Sequence, residues 1–167
     1  MAQQLDPDLL LTRGSLDESA VRSLLAPIGF SEPIVAQSRL QAICRDESHR
    51  KALKASLPML LAALENSTTP DSSVMNFERL VQAVPDSLEL LQFLSGNLRA
   101  VEILIRLFVG SQYLTEILLR NPEYLTPLPR HTRLAEFKAR EEFRTDAEQT
   151  MEVEVTTAAK FDAVRRF

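Results

Sequence analysis

Few side chains in this sequence have the reactivity for catalysis or metal binding: one cysteine, Cys44, two histidines, His49 and His131, and the carboxylates of Asp6-Pro7-Asp8. A cysteine nucleophile needs a base beside it, and a zinc site needs several ligands converging on one point. Cys44 and His49 are five positions apart, which puts them on different helix faces, and His131 stands far away in a proline-containing stretch. Phosphate chemistry needs a glycine-rich loop of a kind that is absent here. A nucleotidyltransferase site needs a Gly-Ser turn followed, on a strand, by two aspartates in Asp-x-Asp spacing that hold magnesium. Gly14-Ser15 and Gly110-Ser111 both lead into helical pattern, and the lone Asp-x-Asp, Asp6-Pro7-Asp8, precedes them both beside a proline. It reads as a solvated turn. The residues themselves therefore assign no catalytic, cofactor-binding or metal-binding position.

Two charged features remain. Arg106 is the one cation embedded in the apolar run Ile103-Leu104-Ile105-Arg106-Leu107-Phe108. It can anchor an acidic partner or pair with Glu102 four residues earlier, and the internal pair is the favoured reading. Arg50, Lys51 and Lys54 follow Asp46 and Glu47 and read as a solvated helix face rather than a phosphate patch.

The elements that would position any site are helical. Of 167 residues 45% are hydrophobic and 25% charged, close to the globular norm, which excludes a disordered or collagenous chain. Four glycines are too few for an all-β chain with its many turns. A net charge of −4 argues against sequence-independent nucleic-acid binding, which needs a basic stripe. No apolar run approaches the length of a membrane span, and the acidic first residues do not make a signal peptide. A single cysteine cannot form an intramolecular disulfide and fits a reducing cytoplasm.

Apolar residues recur every three or four positions, the helical period. Ser15-Leu16-Asp17-Glu18 predicts a capping box, with Leu16, Ala20, Leu24 and Ile28 on the buried face and Gly29 as the stop. Ser31 opens a second helix at Glu32-Pro33. A third runs from Glu47 to Glu65, with Leu53, Leu57, Leu60, Leu61 and Leu64 as its stripe and Pro58 as a kink or a division. Phe77, Leu80, Val81 and Val84 mark a fourth, and Asp86-Ser87-Leu88-Glu89 caps a fifth. Gly96-Asn97 and Gly110-Ser111 predict tight joints, each a helix-stopping glycine followed by a capping residue. Past Pro127 and Pro129 the chain becomes densely charged with both signs, as a long exposed helix would be, and it stops at Arg165-Arg166-Phe167 like a cut rather than a natural end.

Several of these stretches resemble the glutamine synthetase adenylyltransferase family, which includes the adenylyl-removing enzyme. They are Gly29-Phe30-Ser31-Glu32-Pro33, Leu57 to Leu64, Pro70-Asp71, Asn76-Phe77-Glu78-Arg79-Leu80 and Leu90 to Asn97. The most specific are Gly110-Ser111-Gln112-Tyr113-Leu114 and Leu118-Leu119-Arg120-Asn121-Pro122-Glu123-Tyr124-Leu125. The family pattern has proline and histidine where this chain has Gln112 and Asn121. Ala163-Val164-Arg165-Arg166-Phe167 is similar to the run that enters a catalytic domain.

The resemblance implies a parent enzyme that uses ATP and magnesium. Such an enzyme transfers AMP to a tyrosine of glutamine synthetase, or removes it by phosphorolysis, under control of PII signalling proteins. The family's metal-binding aspartates have no counterpart here, so no catalytic, cofactor or metal residue is carried over. The expectation is an all-α, multi-helix bundle of short antiparallel helices plus a long charged C-terminal helix. It divides as a flexible N-terminus at 1–14, a bundle at 15–126, a linker at 127–132 and a charged connector at 133–167. Its expected role is non-catalytic docking and domain positioning in the cytoplasm, with glutamine synthetase and PII as partners, no nucleic acid or membrane, and no cofactor of its own. The alternative is a free-standing helical adaptor with an open groove lined by Leu, Phe and Tyr.

Overall fold

In the computed structural model the backbone divides into two units, Met1–Thr132 and Arg133–Phe167. The structure describes residues 7–125, all within the first unit. The expected linker at 127–132 and connector at 133–167 lie outside the described residues, as do Asp6 and His131.

The described residues form seven α-helices and three short 3-10 helices, with no strand. The all-α expectation holds. A 3-10 helix at Pro7–Leu11 leads to α1 (Glu18–Leu25), a second 3-10 turn (Ala26–Ile28) and α2 (Pro33–Ile43). Then come α3 (Glu47–Glu65), α4 (Pro70–Ala83), α5 (Ser87–Ser95), α6 (Leu98–Gly110), α7 (Gln112–Arg120) and a last 3-10 turn at Pro122–Leu125. Within the stretch expected to be a flexible N-terminus, Leu10 and Leu11 are buried, and the Leu10 carbonyl accepts from the side-chain amides of Gln37 and Gln41.

Helix starts follow carboxylates and small polar side chains. Asp17, not Ser15, caps α1, its Oδ1 accepting the Ala20 amide at 2.7 Å. An ionised carboxylate is the stronger acceptor at the positive end of a helix. The buried seam of α1 is Val21 and Leu25, with Ala20 and Leu24 half-buried. Asp46, Asp86, Asn97 and Ser111 cap α3, α5, α6 and α7, each by accepting the amide three residues on.

Ser31 does not cap α2. The amides of Ser31 and Glu32 instead donate to Asp71 Oδ2 and Oδ1 at 2.9 and 3.2 Å, so the loop entering α2 is held by the first turn of α4. Pro58 lies inside an undivided α3. Only Gly14 and Gly29 take positive φ, at 74° and 79°. Gly96 ends α5 with φ −99°, and Gly110 is the last residue of α6, so neither is the left-handed stop its position predicted. The tight turns there rest on Asn97 and Ser111, and Ser111 both closes α6 and opens α7.

At the centre, α3 packs on α5 and α6, while α2 lies along α4 and α4 continues against α6 and α7. Of the predicted stripes, Leu53, Leu57, Leu60 and Leu64 are buried and Leu61 is half-buried, and Phe77, Leu80, Val81 and Val84 are all buried. Leu40 and Ile43 of α2, Leu90, Leu91 and Leu94 of α5 and Val101, Leu104, Ile105 and Phe108 of α6 complete the core. Full burial of each such side chain contributes about 1.5–3 kcal/mol. The buried face of α7 is thin. Leu118 is buried, but Tyr113 is 76% exposed and Leu114 is exposed as well.

Candidate functional site

Two places on the bundle bring polar groups together in a way that local sequence spacing does not show. The first joins the starts of α3 and α5. Asp46 Oδ1 accepts the His49 amide at 2.9 Å and lies 2.9 Å from His49 Nδ1, while His49 Nε2 is 3.0 Å from Ser87 Oγ. Acid, imidazole and hydroxyl in that order have the connectivity of a nucleophilic triad.

Two observations decide against that chemistry. Ser87 is only 4% exposed, so a substrate has no approach to its hydroxyl. Asp46 and Nδ1 are at ion-pair distance but miss hydrogen-bond alignment, leaving the buried nitrogen without the directed bond that fixes the imidazole in a triad. The group is a polar tie between two helix starts. The Asp46 carboxyl is held below the usual carboxylate range, first by the His49 backbone N–H and then by the His49 side chain. Sequence reading missed Ser87 because it is distant in sequence and was read only as part of a cap.

Cys44, the other reactive group, is the C-cap of α2, half-buried, with Sγ 3.6 Å from the Leu40 carbonyl. It sits on a different element from His49. No group of three or more His, Cys, Asp or Glu residues is arranged to hold a metal among the described residues. Arg50 makes a two-pronged pair with Glu47, Nε at 3.0 Å and Nη2 at 2.7 Å. Arg39–Glu78 at 2.7 Å and Arg79–Glu116 at 3.3 Å tie α2 to α4 and α4 to α7.

The second place is a groove of about 500 Å³ on the outer side of the α3–α6 contact. Met59, Ala62, Ala63 and Asn66, spaced by three and four, line it from α3. Leu98, Glu102, Ile105, Arg106 and Val109 line it from α6, with Ser67 and Thr68 added by the turn before α4. The expected Glu102–Arg106 ion pair is absent; Arg106 is exposed and both residues face the groove. An exposed pair at this spacing is worth about 0.3–0.5 kcal/mol, against roughly 2 kcal/mol of rotamer freedom in an arginine. Such a pair gains little by closing. The groove has the size of an ordinary ligand site, and its walls are aliphatic, without the Phe and Tyr that an adaptor reading called for.

This arrangement is an all-α helical bundle with an open groove. In sequence it is similar to bifunctional glutamine synthetase adenylyltransferase/adenylyl-removing enzymes. The enzyme of Streptomyces avermitilis is 28% identical over 109 residues, covering 65% of this chain and 11% of the enzyme. That of Corynebacterium efficiens is 25% identical over 114 residues, covering 68% and 11%. That of Leifsonia xyli subsp. xyli is 29% identical over 163 residues, covering 90% and 15%. The chain thus spans little more than a tenth of the length of the curated relatives it matches. No family model matches it, and no solved structure does. The agreement of these relatives supports a glutamine synthetase adenylyltransferase-family region. No helix among the described residues is long and apolar enough to cross a membrane.

Proposed function

We propose that this chain is a non-catalytic helical region of a glutamine synthetase adenylyltransferase-like enzyme, acting in docking and domain positioning in the cytoplasm. One observation carries the reading: most of the chain aligns with a small part of much longer enzymes that share one name. The chemistry in the relatives' name then belongs to parts of a parent enzyme beyond this bundle. ATP and magnesium are used there, and no residue of this chain is assigned to either. Glutamine synthetase and a PII signalling protein are the partners this reading names.

The test is direct binding. The purified 167-residue chain is titrated against immobilised glutamine synthetase and against a PII protein, and saturable micromolar binding to at least one is expected. Binding to neither at about 100 μM overturns the docking role. AMP transfer to glutamine synthetase by the chain alone overturns the non-catalytic assignment.

A further inference from the structure

The α3–α6 groove has a shape and a charge order that together describe what fits it. Leu98 and Val109 form an apolar stripe along α6, with the buried Ile105 between them. From Leu98 to Val109 the helix rises about 16 Å, close to three turns. Leu98, at the start of the stripe, is 50% exposed. The opposite wall carries Ala62 and Ala63, whose small side chains let another backbone approach closely. Within the stripe Glu102 and Arg106 stand one turn apart, and neither side chain has an ion-pair or hydrogen-bond partner among the described residues. Two opposite charges with no partner among the described residues, set in an apolar trough three turns long, match a helix better than a small ligand.

We propose that this groove docks an amphipathic helix of a partner protein, running antiparallel to α6, with a carboxylate against Arg106 and a cation four residues later against Glu102. Running antiparallel reverses the order of the facing charges. The partner residue opposite Arg106 comes first in its own sequence and the one opposite Glu102 follows. Acid before base at that spacing is also the order that stabilises a helix by itself, so such a partner enters already shaped. A parallel helix would need the base first, the weaker arrangement. The inference stands on the groove alone and goes beyond the enzyme reading, which can fail without affecting it.

Two peptides of about 14 residues, equal in composition and in their leucine stripe, test it. One carries Glu then Lys four residues later; the other carries Lys then Glu. Each is titrated into the full 167-residue chain while the methyl resonances of Met59, Leu98, Ile105 and Val109 are followed. The Glu-first peptide is expected to shift those methyls and to bind about tenfold more tightly, since in the antiparallel seat the Lys-first order sets like charges together at both positions. The double variant Glu102→Lys/Arg106→Glu, at one half-buried and one exposed position, is expected to invert the preference, with its melting temperature measured as the check on folding. A separate variant, Met59→Glu, should abolish binding of both peptides. Equal affinities, a Lys-first preference, shifts outside the groove, or no binding by either peptide overturns the proposal.

Discussion

Asp46 shows how one side chain can serve two scales of structure. It caps α3 and also lies against His49, whose far nitrogen reaches Ser87 on α5. Because its folded-state pKa is lowered, the carboxylate adds stability above the unfolded value of about 3.9 and loses it as pH falls through the lower folded value. The melting temperature is therefore expected to drop on acidification below about pH 4. Asp46→Asn, which can still cap, should show a shallower drop; parallel pH–melting curves for the two proteins would remove the linkage. Asp71 is the other residue acting at a distance, with two amides of the α1–α2 loop on its carboxylate. Asp71→Ala should cost about 1–2 kcal/mol in urea unfolding, with the effect seen as faster hydrogen exchange at Ser31 and Glu32. Asp46 and Asp86 as caps were within reach of local spacing. Asp71 as the acceptor for the loop entering α2 was not, because Ser31 and Asp71 are brought together only by the packing of α2 on α4.

Among the helices, punctuation was legible more reliably than its chemistry. The joints at 96–97 and 110–111 fall where glycine and a capping residue predicted them, yet the capping residue closes each turn and the glycine keeps ordinary φ. Substitution separates the roles. Gly29 has φ 79° with nothing within 4 Å of an added Cβ, so Gly29→Ala should cost about 1 kcal/mol from backbone strain alone. Gly110 is helical with the same open surroundings, so Gly110→Ala should be neutral or stabilising by up to about 0.5–1 kcal/mol. Chemical denaturation measures both, and a loss at Gly110 equal to that at Gly29 would restore the left-handed reading. The buried seam of α1 was missed by one position because local spacing fits Ala20 and Leu24 as well as Val21 and Leu25, and only packing chooses between the two faces. A turn of 100° per residue allows no slack in that assignment.

For the bundle as a whole, the groove and the core differ in what their apolar residues do. Leu94 and Leu98 are four residues apart, yet Leu94 is fully buried and Leu98 is half exposed at the groove. Leu94→Ala should cost about 2–5 kcal/mol, while Leu98→Ala should change thermal stability by less than about 0.5 kcal/mol. Differential scanning calorimetry distinguishes them, and equal losses would mean the groove is part of the core. By itself the sequence determined the helical class, the main stripes and most helix starts, because periodicity and capping act within a few residues along the chain. Only the tertiary structure decided that Ser87 meets His49, that Asp71 holds the loop entering α2, and that Leu98 lines a groove. Each of these depends on which helix lies across from which, and local spacing carries no record of that partner.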